Sequence, residues 1–191
     1  MKIGLFFGSF NPVHIGHLIL ANTIAERAKM DKIWFVVSPQ NPLKKQKNLL
    51  HEFDRFDMVR RAIADNDKFN VSDIEFQMPK PSYTADTLAW LTDKYPQHSF
   101  KLIIGEDNLS NFHKWKNSKA ILENYGLLVY PRRGSEKSEL LQHKSVVMVE
   151  APQIDISATF IREAIKAGES IKYIVPEDVA TLIRVKKFYL D

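Results

Sequence analysis

The chain contains no cysteine. Disulfides, thiolate metal ligands and thiol nucleophiles are therefore excluded, and the composition is compatible with a reducing compartment such as the cytoplasm. A long apolar run is missing as well: Met1 to Phe10 is cut by Gly4 and Gly8, too short for a signal core or a membrane span. No internal repeat, low-complexity tract or Pro/Gly/Ser-rich linker divides the sequence. Nor is there a basic tail. The net charge of +4 is spread along the chain, which suits small phosphate-bearing substrates as well as it suits nucleic acid. The expected partners are small molecules, with neither nucleic acid nor membrane among them.

What is present is enough apolar material for one well-covered core. With 191 residues and 45% hydrophobic side chains, the expectation is a single domain over residues 1–191. Short runs rich in Ile, Val and Phe alternate with segments of helical periodicity, the pattern of βαβ units. The strand candidates are Ile3–Phe7, Ile33–Val37, Phe69–Val71, Leu102–Ile104, Leu127–Tyr130 and Val146–Val149. Most are continuously apolar, as strands covered on both faces should be. Leu18, Ala21, Ala25 and Ala28 mark one helix, Phe56, Val59 and Ile63 a second, and Leu88 with Leu91 a third. A last helix after Pro176 carries Val179, Leu182 and Ile183. The expected fold is α/β, a Rossmann-like doubly wound parallel sheet in three layers. In such sheets ligands bind beyond the carboxyl ends of the strands, so residues just after strands carry most weight.

Directly after the first strand stands Gly8-Ser9-Phe10-Asn11-Pro12-Val13-His14-Ile15-Gly16-His17. A glycine turn leading into a helix N-terminus offers close backbone approach, unpaired N–H groups and partial positive charge, which favour phosphate. His14 and His17, three apart, can aim ring N–H donors at phosphate oxygens from one helix face. A shared metal ion is the competing use of such a pair, but no cysteine or adjacent acidic residue completes a ligand set, so no metal site is expected. Near the other end, Ser157 precedes a helical stretch with Phe160, Ile161, Ala164 and Ile165 on its apolar face and is a good N-cap. A cap leaves Arg162 unexplained. Its fork of donors could clamp phosphate oxygens at that same helix end.

The first string resembles the HxGH signature of the nucleotidyltransferase superfamily, and Ile156-Ser157-Ala158-Thr159-Phe160-Ile161-Arg162 resembles its ISSTxIR motif. Ala158 stands where the family usually has a second serine. Three further strings resemble the nicotinate (nicotinamide) mononucleotide adenylyltransferases in particular: Asn41-Pro42-Leu43-Lys44, Ser82-Tyr83-Thr84-Ala85-Asp86-Thr87-Leu88, and Gly105-Glu106-Asp107-Asn108-Leu109 with Phe112 and Trp115. Arg132 with Gly134 matches a family RxG turn, and Arg55 and Met58 match the helix after the lysine loop.

The resemblance implies transfer of an adenylyl group from ATP to nicotinate mononucleotide, with Mg²⁺ carried in on ATP. It puts Gly8, Ser9, Phe10, His14, His17, Gly105, Asp107, Ile156, Ser157, Thr159 and Arg162 at ATP, with His14, His17 and Arg162 as catalytic groups. Lys44, Tyr83, Thr84, Trp115 and Arg132 fall to the acceptor. Thr84 is a natural N-cap whose helix start could receive a pyridine carboxylate, and Trp115 could stack on the ring. Nicotinamide mononucleotide is the alternative acceptor, and pantetheine-phosphate adenylyl transfer the alternative reaction. A non-catalytic nucleotide- or RNA-binding module is the rival of a different class.

Overall fold

The computed structural model describes residues 1–40 and 49–190. The chain runs through β1 (Lys2–Gly8), α1 (Ile15–Arg27), β2 (Lys32–Val37), α2 (Glu52–Ala62) and β3 (Phe69–Ser72). It continues through α3 (Thr84–Lys94), β4 (Ser99–Gly105), α4 (Glu106–Leu109), α5 (Ser118–Asn124) and β5 (Leu127–Tyr130). It then forms β6 (Val146–Met148), α6 (Ala158–Lys166) and α7 (Glu177–Lys186). Every strand pair is parallel, and the order is β3-β2-β1-β4-β5-β6. The expected α/β sheet with helices on both faces is what the chain builds.

The continuous apolar strands are explained by period-two burial on two faces. Phe6, Phe35, Val37, Ile103 and Leu128 point into one cluster with Ala21 and Ile24 of α1, Met58 and Val59 of α2, Ile161 of α6 and Val179 of α7. Ile3, Leu5, Val36, Leu102 and Val129 point the other way, onto Leu88 and Leu91 of α3 and Ile121 of α5. Leu5, Leu88, Leu91 and Leu102 are fully buried, so truncating any one to alanine should cost about 2–5 kcal/mol.

β1 lies at the centre. From it the chain winds outward to β2 and β3, then returns to place β4 on its other side and winds outward again. The strand order thus reverses between β1 and β4, opening a crevice above their carboxyl ends. The register brings Gly8 level with Val37, and Gly105 level with Tyr130, so the loops after these strands rim the same edge.

Two local expectations are corrected. Thr84 is the first helical residue of α3, and the N-cap is Tyr83, at φ −113° and ψ 135° with no capping side-chain bond. Phe160 is half exposed, so the apolar face of α6 narrows to Ile161 and Ala164 with Ile165 at its margin.

Candidate active site

The turn after β1 is shaped by Phe10. Its backbone is left-handed at φ 44°, and its ring is 2% exposed. That ring packs edge-on to His17 at 5.1 Å between centroids and against Phe35 at 5.6 Å. A Cβ on Gly8 would meet the Phe10 ring at 2.7 Å, so the glycine makes room for a side chain of its own loop. Gly16 acts similarly: a Cβ there would stand 3.0 Å from His14 Nδ1.

His14 is the N-cap of α1 and His17 its third residue. Their rings stack at 3.7 Å between centroids and 28° between planes. His17 Nδ1 accepts the backbone N–H of His14 at 3.2 Å, so the neutral His17 ring carries its proton on Nε2. His14 Nδ1 is buried and has no hydrogen-bond partner among the described residues. Burial, and secondarily the Arg132 charge, lower the His14 pKa to about 4. Burial first, then His14 and Arg132, hold His17 well below its ordinary value. Both rings are therefore neutral at pH 7 and present single N–H donors.

Residues from the far end of the sequence complete this corner. Arg162 donates from Nη1 to the carbonyl of Asn11 at 2.8 Å and from Nη2 to Thr159 Oγ1 at 3.2 Å, leaving further guanidinium N–H groups without a partner among the described residues. Ser157 caps α6 as expected, its Oγ accepting from the Phe160 N–H at 3.1 Å, and Ile156 packs against the core. Asn11 Oδ1 accepts from the Leu50 N–H at 3.3 Å and the Tyr189 hydroxyl at 2.9 Å, which ties this loop to the end of the chain. Gly105 ends β4. Beyond it Asp107 faces Arg132, with Oδ1 to Nε at 3.9 Å, and Arg132 also lies over the Tyr130 ring at 5.7 Å. The Arg132 charge is felt at both histidines, where it adds to burial in lowering their pKa values.

The start of α3 forms a second corner. Tyr83 is exposed, and the N–H groups at this helix end are not covered by a capping side chain. Trp115 is half-buried, tilted against Phe112 at 5.5 Å between centroids. The next residue, Lys116, pairs with Asp86 of α3 at 2.8 Å and lies 4.9 Å over the Tyr83 ring, so the Trp115 segment and the α3 start are held together. Lys44 and its neighbours lie outside the described residues.

Sequence reasoning named Arg55 only through its family match, without its burial, and did not single out Glu75. Arg55 is fully buried and donates to four carbonyls: Leu50 at 2.8 Å, Ser9 at 2.6 Å, Ser38 at 2.8 Å and Pro39 at 3.1 Å. Glu75, 2% exposed, accepts from Ser82 and Thr87, each at 2.8 Å. An arginine in an amphipathic helix reads as solvent-facing. Its spacing from Met58 and Val59, on the buried face of α2, was the one available signal.

A corner with two neutral imidazole donors, a guanidinium and a helix N-terminus is fitted to binding phosphate anions. Among the described residues no group of three or more His, Asp or Glu could hold a metal ion, and no helix is long and apolar enough to cross a membrane.

That class of site and fold is matched by family: residues 5–164 fit the cytidylyltransferase-like family model. The chain is 61% identical over 189 residues to a probable nicotinate-nucleotide adenylyltransferase of Cytophaga hutchinsonii, covering 99% of this chain and 98% of that protein. It is 50% identical over 191 residues to the protein of the same name from Flavobacterium johnsoniae, with 99% of each covered. The chain belongs to the nicotinate-nucleotide adenylyltransferase family. The same fold is seen in the Plasmodium falciparum nicotinic acid mononucleotide adenylyltransferase complexed with NaAD, at a TM-score of 0.82 and 20% identity over 98% of this chain and 97% of that one. The complex of the Plasmodium protein with APC gives a TM-score of 0.80 at 18% identity, covering 98% of this chain and 96% of that one.

Proposed function

We infer that this protein transfers the adenylyl group of ATP to nicotinate mononucleotide, giving deamido-NAD and pyrophosphate, a step of NAD synthesis. The observation that carries the reading is the convergence of His14, His17 and Arg162, from opposite ends of the chain, on the loop after β1 where strand order reverses. ATP enters with Mg²⁺ as a substrate complex that keeps several of its waters.

In the proposed arrangement the triphosphate lies across the histidine pair, the free donors of Arg162, and the α6 start at Ile156, Ser157 and Thr159. Gly8, Ser9 and Phe10 line the turn beneath it, with Gly105 and Asp107 toward the nucleoside. Arg132, which faces Asp107, serves the acceptor. The acceptor places its ring by Trp115 and its carboxylate at the N–H groups near Tyr83 and Thr84, with Lys44 at its phosphate. An oxygen of the acceptor phosphate attacks the α-phosphorus of ATP while the bond to the β-bridging oxygen breaks and pyrophosphate departs. That phosphate is largely dianionic at neutral pH, since its second pKa lies near 6. No base is required. The protein aligns two repelling anions and supplies donors to the charge that builds on the phosphates. Neutral imidazoles can do this through N–H groups, and the arriving anion favours their protonation further. The absence of cysteine suits a cytoplasmic setting for the reaction.

Incubation with ATP and nicotinate mononucleotide should release pyrophosphate and form a product with the mass of deamido-NAD, in equal amounts. ATP hydrolysis without acceptor dependence, or turnover only with phosphopantetheine, would contradict the assignment.

A further inference from the structure

Glu75 is not accounted for by the site chemistry. It sits in a single 3₁₀ turn, Ile74–Gln77, after β3, and it is almost wholly buried. A buried carboxylate is costly unless its lone pairs are satisfied. Here Oε2 accepts from the Ser82 hydroxyl and Oε1 from the Thr87 hydroxyl, both at 2.8 Å. Burial pushes the carboxyl pKa up, while hydrogen bonds from Thr87, Ser82 and Ser38 pull it down. These three partners come from different places. Ser82 precedes the N-cap of α3, Thr87 lies just inside that helix, and Ser38 directly follows β2.

The two α3 contacts straddle Tyr83 and Thr84. Tyr83 provides no side-chain cap, so the position of the helix start is set from below by Glu75 on both sides of it. The carbonyl of Ser38 is in turn gripped by Arg55, which also holds Ser9 of the turn after β1. Two buried polar groups thus lie under the site: Arg55 holds Ser9 and Ser38, and Glu75 holds the α3 start. Of the two, Glu75 bonds the helix that would face the pyridine ring.

Resting on the acceptor reading above, we propose that Glu75 is a positioning residue for acceptor recognition, holding the α3 N-terminus through Ser82 and Thr87 at the distance the acceptor requires. It touches neither substrate. A residue of this kind changes acceptor KM and leaves ATP KM in place, whereas loss of general stability changes neither selectively.

The test is steady-state kinetics on the full chain with both substrates varied. Glu75→Ala is expected to raise KM for nicotinate mononucleotide about tenfold, with KM for ATP within about twofold of wild type. Glu75→Gln, whose amide can still pair with both hydroxyls, should recover to within about threefold. If Glu75→Ala does not fold, Ser82→Ala and Thr87→Val carry the same readout, each raising acceptor KM about threefold at unchanged ATP KM. Unchanged acceptor KM in the folded variants, or an equal rise in both KM values, overturns the proposal. Wild-type protein without saturable turnover of nicotinate mononucleotide overturns the acceptor reading itself. The two failures are thus read on different proteins.

Discussion

The two corners of the crevice are built in different ways. The proposed phosphate corner, His14, His17 and Arg162, is held by direct contacts of the candidate residues themselves: stacked rings, a ring nitrogen on a backbone N–H, and a guanidinium on the Asn11 carbonyl. The proposed acceptor corner, at Tyr83, Thr84 and Trp115, has few such bonds. It is positioned from beneath by Glu75 and from the side by Lys116. The difference suits the ligands proposed for the two corners. Phosphate asks for many converging donors, while a flat ring asks for a gap of the right width.

If the contrast holds, damage to the phosphate corner should appear in kcat and damage to the acceptor corner in KM. The largest effect is expected for His17→Ala, which should lower kcat by about 10²–10³ with an unchanged circular dichroism spectrum. A folded variant with near-normal pyrophosphate release would remove His17 from the mechanism. Arg162→Lys comes next. One ammonium cannot make both fork contacts and still reach phosphate, so kcat should fall roughly tenfold to a hundredfold. A rate close to wild type would mean that point charge alone suffices there.

On the acceptor side, Trp115→Ala should raise KM for nicotinate mononucleotide about tenfold and leave KM for ATP unchanged, in keeping with the usual worth of a base–aromatic stack. A matching rise in both would make Trp115 a packing residue of the second core cluster. The smallest effect concerns pH. The folded His14 pKa, about 4, lies below its unfolded value near 6.5, so the folded state binds fewer protons between these limits. Its contribution to stability is full above pH 6.5 and is lost as pH falls toward 4. Thermal unfolding of His14→Asn across that window should show a shallower fall than wild type, and identical slopes would place the histidine in an unburied, titrating state.

The legibility of the two corners in the sequence differs as their construction does. His14, His17, Ser157 and Arg162 could be read directly, because a glycine turn after a strand and a serine before a helix are local patterns with local causes. The sheet was legible too, since strands buried on both faces are continuously apolar. α5 was not anticipated: at seven residues it is too short to show periodicity. Arg55 and Glu75 were invisible as buried groups for a different reason. Each is charged, and what makes its burial tolerable is a set of carbonyls or hydroxyls from separate loops that meet only when the sheet has formed. The approach of Arg132 to Asp107 and the Tyr130 ring likewise depends on how the loop after β5 turns.

The most direct measurement of the central claim is kcat/KM for nicotinate and nicotinamide mononucleotide, taken side by side with saturating ATP. An acceptor corner made of uncovered helix N–H groups should favour the anionic carboxylate over the neutral amide by about tenfold or more. Preference for the amide, or no discrimination between the two, would contradict the account.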